Sequence, residues 1–370
     1  MRRLVFWLKL MHRPVPTSAL LLAAGLLTLP AAAADFSRCT VLSDDQQRLR
    51  CYDELAHSAT PTASQNLPAA ATSAPAPLGN NVENPPFPPA DSNDGRSYLT
   101  RAWNLDGRSG RTSNNFARLR PHRTSYFMVR ETSRTNPLPN TPSPGHTALT
   151  PLTINDFETK FQISFKSEIW GQDDSHWLGF ENLHLWAAYT QQSSWQAFTP
   201  SNSSPFRESN YEPEVIATFG TGNSDGLKLI NLGFVHQSNG QSLPLSRSWN
   251  RLYAQGGWEW GKFSMLGRGW WRIPENAQQD DNPDITKYLG VADLVLRWEP
   301  NKVESVTLLV RNNLRLNQNL GFMQLDWATP VQLGNFAKLH AQLTSGFGES
   351  MIDYNHRQTT IGLGVSFRDW

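Results

Sequence analysis

The stretch "LINLGFVHQSNGQSLPLSRSWNRLYAQ", residues 229–255, contains two alternating runs joined by a polar loop. Successive side chains on a strand point to opposite faces. In the first run Ile230, Leu232 and Phe234 share a face with His236 and Ser238, while Asn231, Gly233, Val235 and Gln237 occupy the other. In the second run Leu252, Ala254 and Trp258 oppose Arg251, Gln255 and Glu259. The pattern predicts a β-hairpin with one apolar and one polar face. It also puts a histidine and a serine at the end of the apolar face, where polar groups are costly unless paired.

The same alternation recurs from about Thr124 to the end of the chain. Phe161, Ile163 and Phe165 interleave with Lys160, Gln162, Ser164 and Lys166, and Val215, Ala217 and Phe219 with Glu212, Glu214 and Thr218. Leu339, Ala341 and Leu343 oppose Lys338, His340 and Gln342. About twelve such segments are present, many near the ~10-residue length of a membrane-crossing strand. A soluble sandwich shows the same period with its apolar face inward. Charges on so many strands and 14 Trp residues favour a membrane β-barrel with an apolar outer wall and a charged lumen.

The N-terminus supports export. Arg2, Arg3, Lys9 and Arg13 precede the apolar "SALLLAAGLLTLPAAAA" and Asp35, as in a secretory signal peptide spanning residues 1–34. Residues 35–56 hold the two cysteines, Cys39 and Cys51, in a segment that reads as helical. In an oxidising compartment they are expected to pair. Residues 57–118 read as a flexible linker, rich in Ala, Pro, Ser, Thr and Asn from His57 to about Asp94, and residues 119–370 as the barrel. Charge is nearly balanced, 33 basic against 32 acidic residues, so a nucleic-acid footprint is not indicated. No internal run approaches the ~20 apolar residues of a membrane helix.

With an even strand number both ends of a barrel lie in the periplasm. His236 and Ser238 then end the fifth strand, Asn250 opens the sixth, and the loop between them is extracellular. All three side chains have outward parity at the upper rim of the wall. Serine is a weak nucleophile until a base takes its proton. Histidine can be that base, and an asparagine carbonyl can accept its other N–H and fix its tautomer. A neutral Asn suits a lipid-facing position better than Asp does. By itself His-x-Ser is a weak signal.

"YEPEV", "HQSNGQSLPLSRSWNRLY", "DDNPDITKY" and "GFGESMIDYN" closely resemble the outer membrane phospholipase A family, over about Leu119 to Trp370. The resemblance implies a twelve-stranded antiparallel transmembrane β-barrel of the outer membrane. It implies a calcium-linked homodimer that hydrolyses acyl esters of phospholipids, with A1, A2 and lysophospholipase activity. It implies Ser238 as nucleophile, His236 as base and acid, Asn250 as the orienting residue, and an oxyanion site at the Gly240 amide helped by calcium-bound water. Ca2+ ligands carried over are Ser246 and the main-chain carbonyl of Gln241 from one subunit, Ser203 from the other, and Asp281 at a second site. Gln241 stands where the family commonly has Arg, and Leu243 where it has an acidic residue. Gln191 matches a polar residue of the family's dimer interface.

Other residues near these motifs have simpler expectations. Arg247 and Arg251 flank the loop and could meet phosphate headgroups, although Arg251 has inward parity and is expected to pair with a lumen carboxylate such as Glu259. Glu349 and Asp353 read as solvated loop acids. Two competing functions fit the same barrel: a non-enzymatic pore or adhesin, and a different outer-membrane lipid esterase acting on lipid A.

Overall fold

A computed structural model describes residues 39, 44, 46–51, 95–107, 119–172, 179–199, 205–301, 303–330 and 337–367. The chain divides into two compact units, 1–79 and 80–370. In the first, Cys39 and Cys51 form a disulfide with Cα atoms 5.7 Å apart, and residues 46–51 are helical. The expected signal peptide lies outside the described residues.

The second unit opens with a short helix, α1 (Tyr98–Trp103), followed by strands β1 (Leu119–Pro121), β2 (Tyr126–Thr132), β3 (Phe157–Gln172), β4 (Asn182–Trp195), β5 (Phe206–Gly220), β6 (Gly226–Ser238), β7 (Ser248–Trp260) and β8 (Phe263–Arg272). A single-turn helix, α2 (Ile285–Tyr288), precedes β9 (Ala292–Trp298), β10 (Ser305–Asn312), β11 (Gly321–Pro330), β12 (Ala337–Phe347) and β13 (Arg357–Phe367). Every pairing is antiparallel. β1 and β2 pair with successive stretches of β3, Leu119 opposite Ser167 and Tyr126 opposite Gln162, so together they form one interrupted strand. β3 also pairs with β4, and β2 with β13, which closes the sheet. Counting β1 and β2 as one, the 13-stranded sheet is a barrel of twelve strands. On that count β6 and β7 are the fifth and sixth strands, as expected.

Burial decides which way the faces point. On β6, Leu232 is 51% exposed and Phe234 39%, while Asn231 is 0% exposed and Gln237 8%. A water-soluble sandwich would show the reverse. The apolar face is the outside, a surface suited to lipid. Exposed aromatics gather at the strand ends. One row runs through Trp260, Phe263, Trp298 and Trp327, linked by strand pairing, and Phe263 stacks on Trp298. Phe157, Phe198, Phe206 and Trp271 mark the other end.

The lumen is packed with paired charges. Arg130 bonds Glu158 and Glu349, Lys160 bonds Glu349 at 2.6 Å, and Arg207 bonds Glu158 and Asp353. Buried charges persist only when paired and hydrogen-bonded, because each alone carries a large desolvation cost. Glu349 and Asp353 are therefore not solvated loop acids. Residues 348–356 fold into the barrel mouth, where Met351 N donates to Asn210 Oδ1 and Ile352 N to Glu208 Oε1. Arg251 does point inward, but its carboxylate partner is Glu212, at 3.7 Å, rather than Glu259. Arg251 and Glu259 lie eight positions apart on one extended strand, about 26 Å.

The opposite mouth is filled by α1, within the stretch expected to be linker. Leu99 is fully buried and its amide donates to Glu259. Trp103 meets Trp186 edge-on and carries Lys166 Nζ 3.2 Å from its ring centroid, a close cation–π contact. Between the two closures a polar cavity of about 230 Å³ remains, lined by residues including Arg123, Glu212, Arg251, Arg268 and Asp293.

Candidate active site

β6 and β7 bring the three expected residues together on the outer wall. In register, His236 lies opposite Asn250 and Ser238 opposite Ser248. His236 Nδ1 stands 2.9 Å from Asn250 Oδ1. An amide oxygen only accepts, so the imidazole donates through Nδ1–H, an arrangement that in the neutral ring leaves the Nε2 lone pair available to a hydroxyl. The other edge of the amide is used too, since Asn250 Nδ2 donates to Glu275 Oε1 at 3.3 Å. Ser238 is half-buried at the end of β6, and its Oγ accepts from Gly240 N at 3.1 Å. Gly240 has φ +61°, in the left-handed region, and a Cβ there would come within 3.0 Å of the Tyr211 ring. Tyr211 lies opposite Ser238 on the other flank, in β5.

Asn239 holds the loop that follows. Buried, it accepts through Oδ1 from Arg247 N at 2.9 Å and Gln241 N at 3.3 Å, and donates through Nδ2 to Leu245 O at 2.8 Å. Arg247 is fully buried and donates to the carbonyls of Ser246, Pro244 and His146. It braces the loop from within, which corrects the expectation of a headgroup contact.

The metal candidates are partly assembled. Asp281 Oδ2 accepts from Ser246 Oγ at 2.7 Å and Ser248 Oγ at 3.2 Å, while its Oδ1 meets His146 Nε2 at 2.9 Å. Gln241 is in the same loop, and its side-chain amide donates to Arg207 O. Ser203 lies outside the described residues. Leu243 is 61% exposed and offers no ligand. Among the described residues no cluster of three or more His, Cys, Asp or Glu side chains could hold a metal. The donors are oxygens, mostly neutral, which suits a hard cation such as Ca2+ held with help from water and backbone.

Gln191 lies on β4 with outward parity, bonded to Tyr189 Oη at 3.1 Å and Ser193 Oγ at 3.2 Å. Ser193 in turn bonds Ser209 on β5. A polar band thus runs around the outer wall from Gln191 through Tyr211 to the catalytic candidates. Tyr211, Asn239, His146 and Glu275 were not singled out from sequence. Parity on β5 could have marked Tyr211, but nothing local marks the other three.

The sequence model of the phospholipase A1 family matches residues 99–367. The chain belongs to this family. The match begins within α1, in agreement with that helix being part of the barrel unit. A phospholipase A1 relative from Neisseria meningitidis serogroup B is 33% identical over 94% of this chain and 95% of its own length. Phospholipase A1 of Escherichia coli K12 is 38% identical over 57% of this chain and 70% of its own. Among solved structures, outer membrane phospholipase A from Escherichia coli aligns with a TM-score of 0.61 and 34% identity, covering 72% of this chain and 97% of that one. A Salmonella typhi outer membrane phospholipase, a dimer with bound calcium, aligns with a TM-score of 0.58 and 32% identity, over 67% and 91% of the two chains. This phospholipase A1 family member is an outer-membrane β-barrel enzyme acting on phospholipids. Its closed, ion-packed lumen is unlike an open pore.

Proposed function

We propose that the enzyme hydrolyses acyl esters of glycerophospholipids, with A1, A2 and lysophospholipase activity, through Ser238, His236 and Asn250 on the lipid-facing wall at the outer leaflet. The observation that carries this reading is the 2.9 Å bond between His236 Nδ1 and Asn250 Oδ1, made across a register pair with Ser238 two residues away on the same face. Ser238 Oγ attacks the acyl carbonyl while His236 Nε2 takes its proton, and Asn250 steadies the imidazolium through Nδ1–H. The Gly240 amide donates to the developing oxyanion. His236 then returns the proton to the leaving lysophospholipid oxygen. Water, deprotonated by the same imidazole, releases the fatty acid from Ser238.

Calcium and assembly complete the proposal. Ser246 and the Gln241 carbonyl would hold Ca2+ with Ser203 of a second copy, Asp281 would serve a second calcium site beside them, and a bound ion would supply positive charge near the oxyanion. A homodimer through the Gln191 wall would cover that outward polar group, whose remaining hydrogen-bonding capacity is costly against lipid. The solved Salmonella typhi relative, a dimer with bound calcium, supports both parts. Labelling with a serine-reactive sulfonyl probe, with calcium or with chelator, tests the reading. Calcium-dependent modification of Ser238 is expected, and modification elsewhere with Ser238→Ala fully active sinks it. Analysis of the released acyl chain and residual lipid separates phospholipid from lipid A as substrate.

A further inference from the structure

An asparagine amide has an accepting edge and a donating edge, and half a turn about its last torsion exchanges them with little change of shape. Only one orientation serves the catalytic arrangement proposed above. With Oδ1 toward His236, the imidazole carries its proton on Nδ1, and Nε2 can accept from serine. With Nδ2 toward His236, the amide donates to Nδ1, the ring proton moves to Nε2, and the base is blocked.

The bond between His236 and Asn250 does not choose between these, because each orientation gives one hydrogen bond. The choice comes from the opposite edge. Glu275 Oε1 lies 3.3 Å from Asn250 Nδ2. A carboxylate accepts only, so a turned amide would set oxygen against oxygen. Glu275 is held there by its own loop. Ile273 N donates to Asn250 O at 2.9 Å, keeping the chain beside β7. Arg272, just before it, bonds Asp280 Oδ1 at 2.6 Å and the Pro283 carbonyl at 3.2 Å, and lies 4.0 Å from Glu275 Oε2. The Glu275 side chain is 19% exposed, sheltered but reachable by water.

We propose that Glu275 is a positioning residue that fixes the Asn250 amide and, through it, the His236 tautomer able to take the Ser238 proton. This inference rests on the Ser238, His236, Asn250 reading. Glu275 touches none of the reacting atoms.

The test uses the full-length enzyme in detergent micelles with calcium and a phospholipid substrate. Glu275→Leu leaves about half of the population with a turned amide, so kcat falls about twofold while KM holds. Glu275→Gln keeps an accepting oxygen and recovers at least half of the loss. Asn250→Asp has no amide to turn and sets two carboxylates together. In that background Glu275→Leu is expected to cost nothing or to raise activity. Native kcat in Glu275→Leu overturns the proposal, as does an equal fractional loss in both backgrounds, which would mark a merely structural role. If Asn250→Asp is inactive, 15N shifts of His236 decide: an unchanged Nδ1–H tautomer in Glu275→Leu overturns the proposal and a shift toward Nε2–H supports it. Failure of the underlying triad would show separately, as full activity in Ser238→Ala.

Discussion

Ser246 donates its hydroxyl to Asp281 at 2.7 Å, joining the loop after β6 to the loop after β8. The carboxylate receiving it is shared with Ser248 and His146, so a cation arriving here must displace existing partners. Asp281→Asn is expected to raise the calcium concentration for half-maximal activity about threefold to thirtyfold, with little change at saturating calcium. His146→Ala frees one carboxylate oxygen and is expected to move that concentration the other way. Calcium titration of hydrolysis after chelator treatment checks both, and opposite shifts are required.

Leu243 offers a gain-of-function test. It is 61% exposed in the same loop, so a polar substitution there disturbs no packing. Leu243→Asp adds an anionic oxygen where the donor set is mostly neutral, and calcium sites tighten with ligand charge. Half-maximal activation should fall by about threefold or more in the same titration. No shift would mean that residue 243 does not face the ion.

Asn250→Ala removes the acceptor for the imidazole N–H while keeping nucleophile and base. kcat is expected to fall about tenfold to a thousandfold with KM nearly constant, since the interaction matters most as charge develops on the ring. Ser238→Ala should lose essentially all turnover. Steady-state kinetics on micellar phospholipid distinguish the two.

Glu349 predicts the acid limit of the fold. Burial alone would raise its carboxyl, but Lys160 and Arg130 hold it down at about 2, against 4.5 for the free group. A carboxylate with a depressed value adds stability that is complete above about 4.5 and is lost as pH falls toward 2. The urea midpoint of the detergent-solubilised barrel should therefore decline across that window, and Glu349→Gln should flatten the decline. Glu349→Leu strands buried Lys160, while Arg130 keeps Glu158, and should cost about 3–5 kcal/mol at neutral pH.

The barrel itself was legible because its signal is local. Period-two alternation marks strands without knowledge of what they touch, and it put His236, Ser238 and Asn250 on one face with the correct strand numbers. Whether that face met lipid or a core was not contained in the alternation; the exposure of Leu232 beside buried Asn231 settles it. Long-range pairing was illegible for a different reason. Glu349 meets Arg130 from 219 positions away, and no spacing rule reaches that far. Glu275 and His146 escaped notice likewise, because each reaches the site from another loop. α1 escaped because it is only six residues long, follows directly on a Pro- and Ala-rich stretch, and anchors through few side chains, chiefly Leu99 and Trp103.

The barrel mouths are closed by α1 at one end and by residues 348–356 at the other, and the space between is held by ion pairs. The barrel unit is thus filled inside, and the proposed triad would work on its outer flank. Substrate then arrives sideways, by diffusion within the leaflet, and the quantity that governs turnover is its mole fraction in the surface. Diluting phospholipid with inert detergent at fixed bulk concentration should slow the enzyme, whereas diluting the micelles themselves should change the rate far less.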